Sequence, residues 1–206
     1  MTTFLKVSII QAIVLVVTIV LYFGSEIFQR RFHSPKRPID DRVPLIPAFV
    51  FPYSLWFPLT FAFPVTLYFY APTHWVAFQI AWLINLVISV VAYLVYPTTF
   101  HRPHLGDSFS ERVLLFVYKA SFRHVNCAPS FHCSSSMMIG FAALTAPGLP
   151  WWARVIFVAV ALVILAGTQF TKQHVLLDLL TAIPVAAISL SIGLPLAFSG
   201  IGASLS

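Results

Sequence analysis

Of 206 residues, 59% are hydrophobic and only 9% are charged. A soluble domain of this length could not hide so much apolar surface, so the composition excludes a water-soluble protein and makes the bilayer the solvent. The formal charge of +6 suits anionic headgroups or a phosphorylated substrate. It is not gathered in a soluble domain, which argues against nucleic acid as a partner. Cys127 and Cys133 are the only cysteines. With no His/Cys cluster at metal spacing, they argue against a zinc site or a disulfide scaffold and are expected as free, packed thiols.

Six hydrophobic segments predict one all-α integral membrane domain over 1–206, a six-transmembrane-helix bundle. The first, 7–23, lies within a span of 1–25. No small-x-small cleavage site follows it, so it is expected to stay attached. A basic loop, 26–44, carries Arg30, Arg31, Lys36, Arg37 and Arg42. The second segment, 45–70, contains Pro47, Pro52, Pro58 and Pro64, which predicts a bend or a partly re-entrant start. A turn at 71–74 leads to the third segment, 75–96, which Pro97 ends. Residues 98–129 are the longest polar connection. Within them, 109–119 space apolar residues among Glu111, Arg112 and Lys119, the pattern of a short interfacial helix.

The fourth segment, 131–146, is small and polar, with Ser134, Ser135, Ser136 and Gly140, and small residues allow close helix approach. A turn at 147–150 opens the fifth segment, 151–170. The sixth runs over 174–198, with 186–206 as the end of the last span and a tail. No internal repeat is evident.

Counting crossings puts the loops 24–44, 97–130 and 170–173 on one side, with ten Lys and Arg residues against Lys6 and Arg154 on the other. That bias predicts a cytoplasmic loop-rich side. If Arg102, Arg112, Lys119, Arg123 and Lys172 serve phosphate or headgroups, the tally becomes five against two.

Only six residues are Asp or Glu. One, Asp178, lies near the start of the sixth segment, where a carboxylate costs roughly 2.5–3.5 kcal/mol. Four residues from His174, it is expected to share a helix face with it. There it can fix the imidazole's tautomer and raise its basicity, as in a nucleophile–orienter pair. The plainer alternative is a helix-end hydrogen bond that satisfies two polar groups. Other unusual polar residues gather on the same side. Arg102-Pro103 follow the third segment, Asn126 to His132 open the fourth, and Thr168, Lys172 and His174 stand at the junction of the fifth and sixth. Three sequence-distant helix ends thus bring two histidines, cations and a carboxylate to one depth, an active site at one membrane face. That inventory suits phosphoryl transfer without a metal. Cations neutralise the non-bridging oxygens, one His attacks phosphorus, and the other protonates the departing alkoxide.

At Pro129-Ser130-Phe131-His132, Gly167-Thr168-x5-His174-x3-Asp178 and Arg102-Pro103, the chain resembles the type 2 phosphatidic acid phosphatase superfamily. That superfamily's motifs are Pro-Ser-Gly-His, Ser-Arg-x5-His-x3-Asp and Lys-x6-Arg-Pro. Phe131 replaces the Gly, Gly167-Thr168 replace Ser-Arg, and Val95 stands where the Lys would be. The runs 170–174 and 41–47, with Asn126 shortly before Pro129, resemble the branch that includes inositol phosphorylceramide synthases. The resemblance covers about 40 to 185, with a phosphatase-like core of 45–185. It implies that His174 is the nucleophile forming a phosphohistidine, Asp178 its orienter and His132 the acid for the leaving group. Arg102 and Ser130 would help hold the phosphate. Thr168 stands at the family's Arg position, and Lys172, in the same turn, is the candidate replacement, though an ammonium is a point charge and not a bidentate fork. Arg123 is a further candidate for phosphate or for lipid headgroups.

These readings imply a lipid-phosphate or polyprenyl-phosphate phosphatase with no metal and no cofactor, its partners being membrane lipids. Resolution of the phosphoenzyme by an alcohol would instead give a lipid phosphotransferase. The small size of the chain favours water. A membrane haem protein with His132 and His174 as axial ligands, or a lipid transporter, are the non-enzyme alternatives. The motifs leave the oligomeric state open.

Overall fold

The computed structural model describes residues 2–120 and 123–199. The end of the tail, 200–206, lies outside the described residues. Among those described there are eight α-helices and no strand: α1 (Thr3–Phe28), α2 (Val50–Ser54), α3 (Trp56–Tyr70), α4 (Pro72–Val95), α5 (Phe109–Ala120), α6 (Phe131–Thr145), α7 (Trp151–Phe170) and α8 (Leu176–Phe198). Five stretches are long and apolar enough to cross a membrane: α1, the run Pro47–Tyr70, α4, α7 and α8. They fit a multi-pass membrane protein. The expected fourth segment forms α6, whose 15 residues span only about 22 Å at 1.5 Å per residue.

The prolines account for the broken second segment. A 3-10 turn at Pro47–Phe49 feeds α2, and Leu55 separates α2 from α3. Pro52 and Pro58 each stand third in their helix. There the missing N–H has no partner to lose. Pro64 is the one proline in the interior of α3.

Apolar side chains on α1, including Ile13, Val16 and Val20, face outward, while Val7, Gln11 and Thr18 are buried. That buried stripe is bonded to its neighbours. Gln11 Nε2 donates to Thr60 O at 2.8 Å, Gln79 Nε2 to Gln11 Oε1 at 2.7 Å, and Trp82 Nε1 to Thr18 Oγ1 at 2.9 Å. With lipid as apolar as the core, such bonds, worth about 0.6 kcal/mol each, hold α1 against α3 and α4 where burial alone gives little. The packing of α4 on α8 is closer. A Cβ at Gly193 would lie 2.8 Å from both Ala77 O and Ala81 Cβ, so only glycine fits.

The loops meet one another at one end of the bundle. Ile46 N donates to Phe170 O at 2.9 Å, His33 N to Pro97 O at 2.9 Å, and Gln29 Nε2 to Asn126 Oδ1 at 2.5 Å. The amphipathic α5 is tied to the same region by Tyr118, whose hydroxyl donates to Thr171 O at 2.5 Å. At the far ends of α3 and α6, Gly148 lies against the Tyr70 carbonyl with no room for a Cβ.

Candidate active site

Two helix N-termini and the strands of chain leading into them build the site. Ser130 caps α6, its hydroxyl accepting from Cys133 N at 3.2 Å, as N-cap serines do. The segment before it is pinned on three sides. Tyr93 Oη donates to Pro129 O at 2.7 Å, Ser130 N to Asp178 O at 3.0 Å, and Ala128 N to Thr98 Oγ1 at 2.8 Å. His132 is the second residue of α6.

His174 departs from the expected helix-face pairing. Helix α8 begins at Leu176 with extended Val175 as its N-cap, so His174 lies before the helix and Asp178 at its third position. The pair still meets. Asp178 Oδ2 accepts from Val175 N at 3.0 Å, the reciprocal carboxylate bond of a helix start. The same oxygen lies 3.2 Å from His174 Nδ1, which is also 3.1 Å from Cys127 O. Both neighbours of Nδ1 are acceptors, so Nδ1 carries the proton, and in the neutral ring Nε2 carries the lone pair. Asp178 is fully buried and His174 is 5% exposed. Asp178 Oδ1 is buried with no partner among the described residues. Such an unsatisfied group costs roughly 1–3 kcal/mol.

His174 Nε2 faces His132 Nδ1 at 3.4 Å. His132 Nε2 in turn lies 3.0 Å from Tyr53 Oη. The Trp56 ring stands 4.4 Å from the His132 ring, centroid to centroid, held by its Nε1–H to Ser135 Oγ at 2.9 Å. The two histidines and Asp178, 42 and 4 residues apart in the chain, therefore form one hydrogen-bonded group, with Asp178 and His174 buried and His132 partly exposed. Sequence spacing alone missed Tyr53, set among look-alike aromatics. It also missed the Cys127 carbonyl, which no side-chain pattern signals.

The expected phosphate-binding residues are arranged differently. Arg102 Nη1 donates to His124 Nδ1 at 2.7 Å, with its guanidinium 4.8 Å from the Tyr118 ring centroid. Arg102 opposes the upward push that burial and Asp178 give the Cys127 thiol, and it joins burial in keeping His124 neutral to lower pH than usual. Arg123 donates to the Glu26 carbonyl and lies over the Phe32 ring. Lys172 sits in the left-handed region at φ 52°, and its ammonium donates to Asp40 O at 2.8 Å and Val43 O at 2.6 Å. Burial pulls that ammonium below its usual range. Thr168 is fully buried, donating to Leu165 O at 2.7 Å, with Cys133 Sγ at 3.4 Å. The fold therefore gathers Ser130 with the histidines, holds Arg102 against His124 and Tyr118, and ties Lys172 to the 40–43 loop.

His124 and Asn126 also adopt positive φ, 55° and 59°. At about 1–3 kcal/mol each for a residue other than glycine, these conformations are sustained by surrounding contacts such as the Asn126 amide's bond to Tyr22 O at 3.2 Å. A cavity of about 740 Å³ is lined by His101, Arg102, Lys119, Arg123 and His124, and a cleft of about 330 Å³ by Arg37, Pro129, Leu177 and Val185 among others. Neither is lined by His132 or His174. Among the described residues no three His, Cys, Asp or Glu side chains group as metal ligands. Comparison with protein-family models, with curated proteins and with solved structures finds no match for this chain.

Proposed function

We propose that the protein is a membrane lipid-phosphate phosphatase that cleaves a phosphomonoester or pyrophosphate of a lipid or polyprenol through a phosphohistidine on His174. The observation that carries this reading is the run Asp178–His174–His132, in which Nε2 of the neutral His174 faces a second imidazole 3.4 Å away. His174 Nε2 attacks phosphorus, and the bond to the lipid oxygen breaks as His132 Nδ1–H gives that oxygen its proton. Asp178 stabilises the charge that grows on His174. Water then attacks the phosphohistidine, the P–N bond breaks, and His132 takes up the proton that water loses. Arg102 is the cation best situated to meet the phosphate. A near-attack phosphorus stands about 3–3.5 Å from its nucleophile, so the two imidazoles must part for substrate to enter.

The six-span reading belongs to the same proposal. Helix α6 begins at the loop-rich end with Ser130 and finishes beside the turn 147–150, which packs on the end of α3. It is a short sixth crossing, packed against α4, α7 and α8, with Phe141 and Leu144 exposed near its end. The active site then lies at one membrane face, and the basic loops make that face cytoplasmic.

The test is phosphate release from lipid phosphates and polyprenyl phosphates in detergent with EDTA present. Release above that of a His174→Ala control supports the reading. Transfer of the phosphoryl group to an added alcohol without free phosphate would make the protein a phosphotransferase, and the absence of both release and transfer would overturn the enzyme reading.

A further inference from the structure

Tyr53 is 3% exposed, and its hydroxyl has one hydrogen-bond partner among the described residues, His132 Nε2 at 3.0 Å. A buried tyrosine hydroxyl needs an acceptor for its proton, and here the imidazole nitrogen supplies it. If Tyr53 donates, Nε2 of His132 is bare and the ring's proton sits on Nδ1. That nitrogen points at His174 Nε2, 3.4 Å away. His174 Nε2 is itself bare, because Cys127 O and Asp178 Oδ2 hold the proton of its other nitrogen. Every donor then meets an acceptor in one direction: Tyr53 O–H to His132, His132 N–H to His174, and His174 N–H to Asp178. The opposite tautomer of His132 would leave two bare nitrogens facing each other and the tyrosine proton without an acceptor.

The position of Tyr53 is also set by close packing. A Cβ at Gly167 would lie 3.1 Å from Tyr53 Cβ and 3.3 Å from its Cα and N. Helix α7 thus seats α2 directly, and the Trp56 ring closes the other side of His132 at 4.4 Å.

We infer that Tyr53 is the positioning residue that holds His132 in the Nδ1–H tautomer, so that its proton faces the bond to be cleaved. This rests on the reading of His174 as nucleophile and His132 as acid. During cleavage His132 Nδ1–H passes its proton to the departing oxygen, and water returns one to Nδ1 when the phosphohistidine is hydrolysed. Tyr53 keeps its own proton throughout and leaves Nε2 no other role.

Two measurements on the full-length protein in detergent test this. The first is ¹⁵N NMR of histidine-labelled protein, with the His132 signals identified by their loss in His132→Ala. The wild type is expected to show His132 protonated on Nδ1, and Tyr53→Phe to show a mixture of tautomers. A wild-type His132 protonated on Nε2 overturns the inference, whether or not any phosphatase activity is found and whether or not Tyr53→Phe folds. The second is kinetic. Tyr53→Phe should lower turnover of an alkyl phosphate roughly 10-fold to 100-fold, below the 10²–10⁴-fold that a general acid itself contributes. It should spare a nitrophenyl phosphate, whose leaving group departs unprotonated. An equal loss on both substrates, or no loss on either, overturns the inference. Absence of activity in the wild type would remove the phosphatase reading alone and leave the tautomer measurement standing.

Discussion

At the scale of single residues, the histidine group is where substitution should be most damaging. His174→Ala is expected to abolish phosphate release, since no other side chain within the group offers a bare nitrogen beside His132. Asp178→Asn should cost roughly 10²–10⁴-fold by losing the tautomer and the counter-charge. Its fold should persist, checked by gel filtration and thermal unfolding in the same detergent; unfolding would instead mark the pair as a structural cap. Lys172 and Thr168 behave otherwise. The Lys172 ammonium is held by two carbonyls and Thr168 is fully buried. Lys172→Ala should therefore lower stability by about 1–2 kcal/mol while leaving KM close to that of the wild type, and Thr168→Arg should destabilise by burying a charge without a partner. A large rise in KM for Lys172→Ala would show that the ammonium leaves its carbonyls for the phosphate. His174 and Asp178 were legible in the sequence because a carboxylate near an apolar segment is costly enough to need a reason. Tyr53 was not, because a tyrosine among Phe51, Trp56 and Phe57 has the same pattern as a packed aromatic.

At the scale of elements, hydrophobic length located five stretches long enough to span, while the expected fourth segment forms the 15-residue α6, and the four-proline run did mark a broken helix. The start of α8 was less legible. A periodic pattern through His174 continues into the helix, but the N-terminus is set by a residue far away in sequence. Asp40 Oδ1 accepts from Leu176 N at 2.8 Å, and its Oδ2 accepts from Arg37 N at 2.6 Å. This buried carboxylate couples the 37–43 loop to the α8 start across 136 residues, which no local rule can detect. Asp40→Ala would leave the first N–H of α8 without its partner. We expect a loss of about 1–3 kcal/mol, seen as a lower thermal midpoint, with reduced turnover because His174 lies two residues before that N–H. Asp40→Asn keeps an acceptor and should recover much of the stability. Equal midpoints for Asp40→Ala and the wild type would show that water replaces the carboxylate.

At the scale of the whole molecule, the arrangement of helix ends bears on whether α6 counts as a crossing. The connections 29–46, 97–104 and 170–176 touch one another, whereas the turn at Gly148 touches the end of α3. Fifteen residues are short for a hydrocarbon core of about 30 Å, yet α6 packs its polar start inward: Ser134, Ser135 and Ser136 are fully buried, and Phe141 and Leu144 are its exposed large apolar side chains. Both native thiols, Cys127 and Cys133, are buried and free, so cysteines introduced at exposed loop positions can be labelled selectively. In sealed vesicles of known sidedness, Arg42→Cys and Asp107→Cys should react with a membrane-impermeant maleimide from the same side, and Pro147→Cys from the other. If the charge bias governs insertion, the first pair faces the cytoplasm. Reaction of Pro147→Cys from the side of Arg42→Cys would mean that α6 re-enters without crossing, and the protein would then have five spans with its two termini on opposite sides.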